Sequence, residues 1–265
     1  MRAADELTRA GAEADGTRRI TWDRAGLRCV LVPPTRSPTM RAMIVVHHLE
    51  NSRSQRILWL LEELGVPYEV KRYARNKRTM LAPPELRQVH PLGKAPVITD
   101  DARTVAESGA ILEYLVDTYG AGRLRPADRS EERLRYTYWM HYAEGSAMPP
   151  LLLKLVASRI ASAPVPFFIN PITKRIAGQL EDGFVGPQIA THFDFIESEL
   201  GKSEWFAGSN LTAADVQMSF PLEAAVARAK VGEGRPHIRA FVAKVQARDA
   251  YKRAAEKGGE FGILG

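Results

Sequence analysis
The hydrophobic period of this chain changes once, near Gly120, and that change restricts the fold more than any single motif. Between residues 43 and 119 short apolar runs alternate with helical stripes; beyond Gly120 no strand pattern remains. Ile44-Val45-Val46-His47 reads as a short buried strand. Asn51 and Ser52 follow, both good helix N-caps. Ile57, Leu60, Leu61 and Leu64 then fall at helical spacing, and Gly65 stops the helix. Tyr68–Tyr73 alternates apolar and charged residues as a second strand, and Pro83-Pro84-Glu85 opens a short helix. Residues 97–99 and 104–105 flank Asp100-Asp101-Ala102-Arg103, a hairpin signature. A helix over 107–119, with Ile111, Tyr114 and Leu115 on one side, completes the order β-α-β-α-β-β-α.

After a Gly-, Pro- and Arg-rich linker at 120–130, helical patterns run over 131–147, 151–161, 172–200, 212–228 and 237–257. Ile189, Phe193, Ile196 and Leu200 form one apolar stripe, and Ile238, Phe241, Val242 and Val245 another. An α/β unit followed by an all-α unit is the expected architecture. The division expected is 1–42 as a loosely held extension, 43–122 as the α/β domain and 123–265 as the helical domain. Residues 1–42 contain Pro33-Pro34 and Pro38 and little periodicity; a short strand over 27–32 added to the fold is the other reading. No apolar h-region follows the early charges, and five acids argue against a transit peptide.

Composition excludes several function classes. At 265 residues, 45% hydrophobic and 26% charged, the chain can bury a sizeable core, and no stretch approaches the ~20 apolar residues of a membrane helix. Its net charge is +6, but residues 1–42 hold eight arginines against five acids, so half the excess lies there. Nucleic-acid binding is therefore a minor reading, and an anionic small ligand stays open. The single cysteine, Cys29, excludes an intrachain disulfide and a thiolate metal cluster, and suits a reducing cytoplasm. His47 and His48 alternate on a strand and cannot share one site, so they read as structural rather than as metal ligands. The chain has no His-Glu-x-x-His, P-loop or Gly-x-Gly-x-x-Gly motif.

Four segments, in order, carry a resemblance: Asn51-Ser52-Arg53-Ser54-Gln55-Arg56 after the first strand, His90-Pro91-Leu92-Gly93-Lys94-Ala95-Pro96-Val97, Glu107-Ser108 opening the third helix, and Leu211-Thr212-Ala213-Ala214-Asp215. Together they resemble the cytosolic glutathione S-transferases, with a thioredoxin-like N-terminal domain and an all-α C-terminal domain. The likeness covers about 43–258. Within that superfamily the chain is most similar to serine-type members of the fungal and bacterial group with a long helical-domain insertion, here about 156–188.

The resemblance implies a site. The helix start after the first strand holds no cysteine, so unless Cys29 reaches back the reactive thiol must come from glutathione. A free thiol with pKa ~8.5 is only about 3% ionised at pH 7, and lowering it by ~2 units requires ~2.7 kcal/mol. A charge-assisted hydrogen bond of roughly 1.5–3 kcal/mol, with a helix dipole adding about 0.3–1 kcal/mol, suffices. Ser52, four residues before Arg56, stands where serine-type members place the catalytic hydroxyl; Asn51 and Ser54 are alternatives, and Ser52 as a mere N-cap is another. Lys94, Ala95, Pro96, Glu107 and Ser108 are the implied glutathione ligands, with a cis Ala95-Pro96 bond. Glu107 takes the γ-glutamyl ammonium and Ser108 its carboxylate, against the alternative of a surface charge beside a cap. Thr212 and Asp215 match the family's capping box, a folding role.

Tyr138, Tyr142 and Ser146, spaced by four, with Met148 beyond, could line the electrophile's pocket or simply pack a core. Phe167 and Phe168 could form a lid. Lys71, Arg72, Arg75, Lys77 and Arg78 form either an anion funnel or a solvated face. The expected protein is a cytoplasmic, homodimeric transferase joining glutathione, its co-substrate, to a small hydrophobic electrophile, with no metal, membrane or nucleic acid. A non-catalytic glutathione-binding interaction protein is the alternative, as is peroxidase, dehalogenase or isomerase chemistry on the same fold.

Overall fold
The computed structural model describes residues 43–259 and two short strands before them. The chain divides into two units, Met1–Ala42 and Met43–Gly265. In the first, β1 (Arg19–Trp22) and β2 (Cys29–Val32) pair antiparallel as a sheet of their own. Four-residue strands are too short for alternation to show in sequence, although Ile, Thr, Trp and Val favour them. The rest of the extension, and the reach of the Cys29 side chain, lie outside the described residues.

The second unit begins with β3 (Ile44–Leu49), α1 (Gln55–Leu64) and β4 (Tyr68–Tyr73), which lies parallel to β3. After the short α2 (Leu86–Val89) come β5 (Val97–Asp100), antiparallel to β3, and β6 (Arg103–Ala106), giving the sheet order β4-β3-β5-β6. Asp100 pairs with Arg103, so the hairpin turns on Asp101-Ala102, with Asp101 at φ 52°. α3 (Ser108–Tyr119) follows, and its Tyr114 and Tyr119 hydroxyls donate to buried Asp100. Gly65 closes α1 in the left-handed conformation, as the sequence predicts. Nearly all of α1 is buried because it packs against α3 of its own domain and against helices of the next. Each fully buried Leu or Ile there contributes about 1.5–3 kcal/mol.

The helical domain comprises α4 (Glu131–Tyr142), α5 (Met148–Ala161), α6 (Asn170–Leu180), α7 (Gly186–Leu200), α8 (Ala213–Ala229), α9 (Pro236–Ala247) and α10 (Asp249–Gly258). Both apolar stripes read from sequence are buried. Three breaks differ from the expected helices. Wide π-type turns at Ala143–Ala147 and Glu181–Val185 join α4 to α5 and α6 to α7. Pro149, Pro150 and Pro187 lack the N–H that would continue an ordinary ladder there. The stretch over 237–257 breaks at Arg248, which is extended and makes a two-pronged bond to Glu63 of α1 at 2.6 and 2.9 Å.

α10 lies against α1, with Arg253 and Lys257 both reaching Glu62. The expected capping box is present at α8: Thr212 N–H and Oγ1 both donate to Asp215, which also accepts the Phe206 N–H. Complete burial outweighs those bonds and pushes the Asp215 carboxyl up to about 6.

Candidate functional site
The loop between β3 and α1 starts at Asn51, in left-handed backbone, and turns its two serines inward. Ser52 is 5% exposed and Ser54 fully buried; their hydroxyl oxygens lie 2.7 Å apart, and the Ser54 N–H donates to Ser52 Oγ at 3.3 Å. Behind them Ser54 Oγ meets His48 Nδ1 at 2.9 Å. His48 is driven down to about 4, first by burial and then by Arg72; the Gly258 backbone and Glu50 oppose this. Ser52, Ser54 and His48 thus form a continuous chain of hydrogen-bonded side chains running inward from the loop.

His47, next on the strand, points to the other face and meets the Tyr73 hydroxyl at 2.9 Å. The two histidines do not share a site, as alternation requires. Sequence reasoning missed His48 because its partner lies beyond the strand; the available signal was its face, opposite His47 and on the side to which the loop returns.

Lys94, Ala95, Pro96, Glu107 and Ser108 come together in one cavity of about 300 Å³, closed by Arg53 and Glu144. The Ala95-Pro96 bond is cis. Glu107 has φ 72°, backbone that a non-glycine residue adopts at some cost, and it stands at the head of α3. The first N–H groups of that helix have no intrahelical partner and suit a carboxylate. Arg56 is buried beneath this floor; it donates to Ser108 Oγ at 3.1 Å, to the Gln217 carbonyl at 2.6 Å and to Glu144. Burial lowers its pKa, while Glu144 opposes that effect. Arg53 also holds Glu144, at 3.0 and 3.1 Å. Glu144 lies in the first π-type turn, so that turn places a carboxylate between two arginines. No residue spacing announced it.

A second cavity, of about 510 Å³, shares Arg53 with the first and is lined by Asn51, Met148, Leu151, Leu155 and Phe220 among others. Of the four residues expected on the electrophile's side, Met148 lines it and Tyr138, Tyr142 and Ser146 do not. The π-type turn interrupts the spacing of four counted from Tyr138, so the face beyond it starts afresh at Met148. Tyr138 instead packs edge-on against Trp139 at 5.0 Å, and the Tyr142 hydroxyl meets His192 at 2.7 Å. Ser146 stays within the turn. Phe167 and Phe168 are exposed, pack on each other at 5.6 Å and line neither cavity. Ser52 lines neither cavity, though Asn51 and Arg53 on either side of it do.

Comparison with known proteins gives the family and the fold. The family model for Glutathione S-transferase, N-terminal domain, matches residues 41–117, and that for Glutathione S-transferase, C-terminal domain, matches 165–249. The chain is 39% identical over 216 residues to Glutathione S-transferase 3 of Schizosaccharomyces pombe, covering 81% of this chain and 88% of that one. A glutathione S-transferase structure from Actinobacillus pleuropneumoniae aligns with a TM-score of 0.67 at 32% identity, covering 83% of this chain and 95% of that one. A Pseudomonas fluorescens family member with two glutathione bound aligns at 0.66 and 25% identity, over 83% and 95%.

Proposed function
We propose, starting from the fact that this chain belongs to the glutathione S-transferase family, that it conjugates the glutathione thiolate to small hydrophobic electrophiles. The observation that carries this reading is the meeting of Lys94, Ala95, Pro96, Glu107 and Ser108 in one cavity that shares Arg53 with an apolar one. The γ-glutamyl group is placed at Glu107 and the head of α3, with its carboxylate on Ser108, whose hydroxyl proton is still available while its oxygen accepts from Arg56. Lys94 takes a carboxylate or the peptide backbone. The sulfur is placed beside Ser52, between Asn51 and Arg53, at the passage to the apolar cavity. There the Ser52 hydroxyl turns from Ser54 to the sulfur and stabilises the thiolate, which attacks the electrophile. That the Pseudomonas relative carries bound glutathione supports glutathione as the ligand.

The inward-turned Ser52 favours a second reading, a glutathione-binding protein without catalysis. Ultraviolet difference spectra of the protein with glutathione, titrated from pH 5 to 9, separate the two. A lowered thiol pKa, and a Ser52→Ala variant that binds glutathione but turns over about tenfold more slowly, support the transferase. A bound tripeptide with an ordinary thiol pKa supports the binding protein. The same reading has the protein acting as a cytoplasmic homodimer, and sedimentation at a single mass near twice the monomer supports the dimer.

A further inference from the structure
The apolar cavity has an unusual charge balance. Arg53, Arg75, Lys154, Arg159 and Arg228 line it, and among the described residues no carboxylate does. Arg53 and Lys154 are matched from outside it by Glu144 and Glu181. Arg75 is different: its guanidinium donates to the carbonyl oxygens of Glu50 and Met80, each at 2.9 Å, and of Asn51 at 3.2 Å. These neutral acceptors fix its direction without cancelling its charge. Arg159, exposed on α5, lines the same cavity, acts on Arg75 as a like charge and makes no carboxylate contact among the described residues; Glu50 is the acid that bears on Arg75. The fold thus gives two arginines to one cavity whose wall is Met148, Leu151, Leu155 and Phe220.

We propose that the electrophile taken by this chain is an anion: an apolar acceptor carrying a carboxylate, its body against Met148, Leu151 and Leu155 and its carboxylate between Arg75 and Arg159. This deepens the transferase reading and rests on it. An oriented guanidinium beside a second arginine is suited to a planar carboxylate, and the apolar wall excludes water from the rest of the molecule. A neutral electrophile of the same shape would leave the two arginines repelling each other.

The test uses the full chain with glutathione and two acceptors, 4-chloro-3,5-dinitrobenzoate and its methyl ester, each kcat/KM being divided by that acceptor's uncatalysed rate with glutathione because the ester withdraws electrons from the ring more strongly than the carboxylate. In each, the thiolate sulfur bonds to the ring carbon, the carbon–chlorine bond breaks and chloride leaves with the electron pair. The acid is expected to exceed the ester in kcat/KM by about tenfold, and Arg159→Glu to lower the acid-to-ester ratio by about fivefold or more. Arg159→Gln, on an exposed helix face, serves as the milder variant and lowers the ratio less. Equal use of acid and ester, with no shift in either variant, overturns the proposal while leaving the transferase reading intact. Calorimetric titration with 3,5-dinitrobenzoate, which has no leaving group, separates the other failure. Binding without glutathione that weakens in Arg159→Glu upholds the anion site even if neither acceptor is conjugated. Expulsion of dinitrobenzoate by glutathione alone, with two tripeptides bound per chain, overturns the proposal in favour of a second tripeptide in this cavity.

Discussion

Two serines separated by one residue are expected to move the bound thiol in opposite directions. In the resting loop the Ser52 hydroxyl is bonded to Ser54, and the Ser54 hydroxyl to His48. To stabilise a thiolate, Ser52 must abandon a neutral hydrogen bond of about 1 kcal/mol and make a charge-assisted one of roughly 1.5–3 kcal/mol. Ser52→Ala removes the second and is expected to raise the thiol pKa by about one to two units. Ser54→Ala removes the first, so the hydroxyl no longer has to leave a partner, and the thiol pKa is expected to fall by about half to one unit. The same Ser54→Ala change leaves the buried His48 Nδ1 without that partner, which costs about 1–3 kcal/mol of stability. The variant should therefore melt earlier yet hold a more acidic thiol, a combination that general damage to the loop does not produce. Thiolate absorbance titrated from pH 5 to 9 in the parent and both variants measures the shifts. If Ser52→Ala leaves the pKa where it was, or Ser54→Ala raises it alongside Ser52→Ala, the hydrogen-bond chain is not acting as described.

Three further outcomes are expected. Burial pushes the Glu223 carboxyl up to about 7 from an ordinary 4.5, against donors on Tyr251 and Gln246 and the charge of Arg56. The folded state thus holds that proton longer than the unfolded one, so this group's contribution falls as pH rises through 4.5–7, by about 3 kcal/mol in all. Glu223→Gln should gain stability over the parent progressively from pH 5 to 8 in urea unfolding. His48, with its lowered pKa, slopes the other way, so the difference between variant and parent is the quantity to read, and a pH-independent difference refutes the assignment. Gly258→Ala should lower stability by about 1–3 kcal/mol, because a methyl there overlaps the Gln55 side-chain oxygen in the α1–α10 contact; an unchanged melting temperature would show that Gln55 yields freely. Asp215→Ala removes the acceptor for Phe206 and Thr212 and should cost about 2–4 kcal/mol in chemical unfolding despite relieving a buried charge; a neutral effect would sink that balance.

Periodicity made the elements legible where one face was decisive. The stripe through Ile57, Leu60, Leu61 and Leu64 and that through Phe193 and Ile196 are buried as read, and Gly65 ends its helix. What periodicity does not carry is the consequence of distant pairing. Arg248 breaks a helix because Glu63 awaits it from α1, and Glu144 enters the site because a π-type turn brings it to Arg53 and Arg56. Counting by four from Tyr138 failed at that turn, and the pocket wall moved to Met148, Leu151 and Leu155. Motif likeness, by contrast, named Lys94, Ala95, Pro96, Glu107 and Ser108 as a group, and the structure has all five lining one cavity, since their loops are set by the sheet. The same likeness was silent on His48, which meets Ser54 because the loop after the strand folds back toward it.

Arg248, Arg253 and Lys257 tie α10 and its approach to Glu63 and Glu62 of α1, the helix whose start carries the two serines. During synthesis α1 emerges early, and its carboxylates wait for partners that are made almost last. A protein severed before Arg248 would leave Glu62 and Glu63 without those three cations and would uncover the face of α1 that α10 closes.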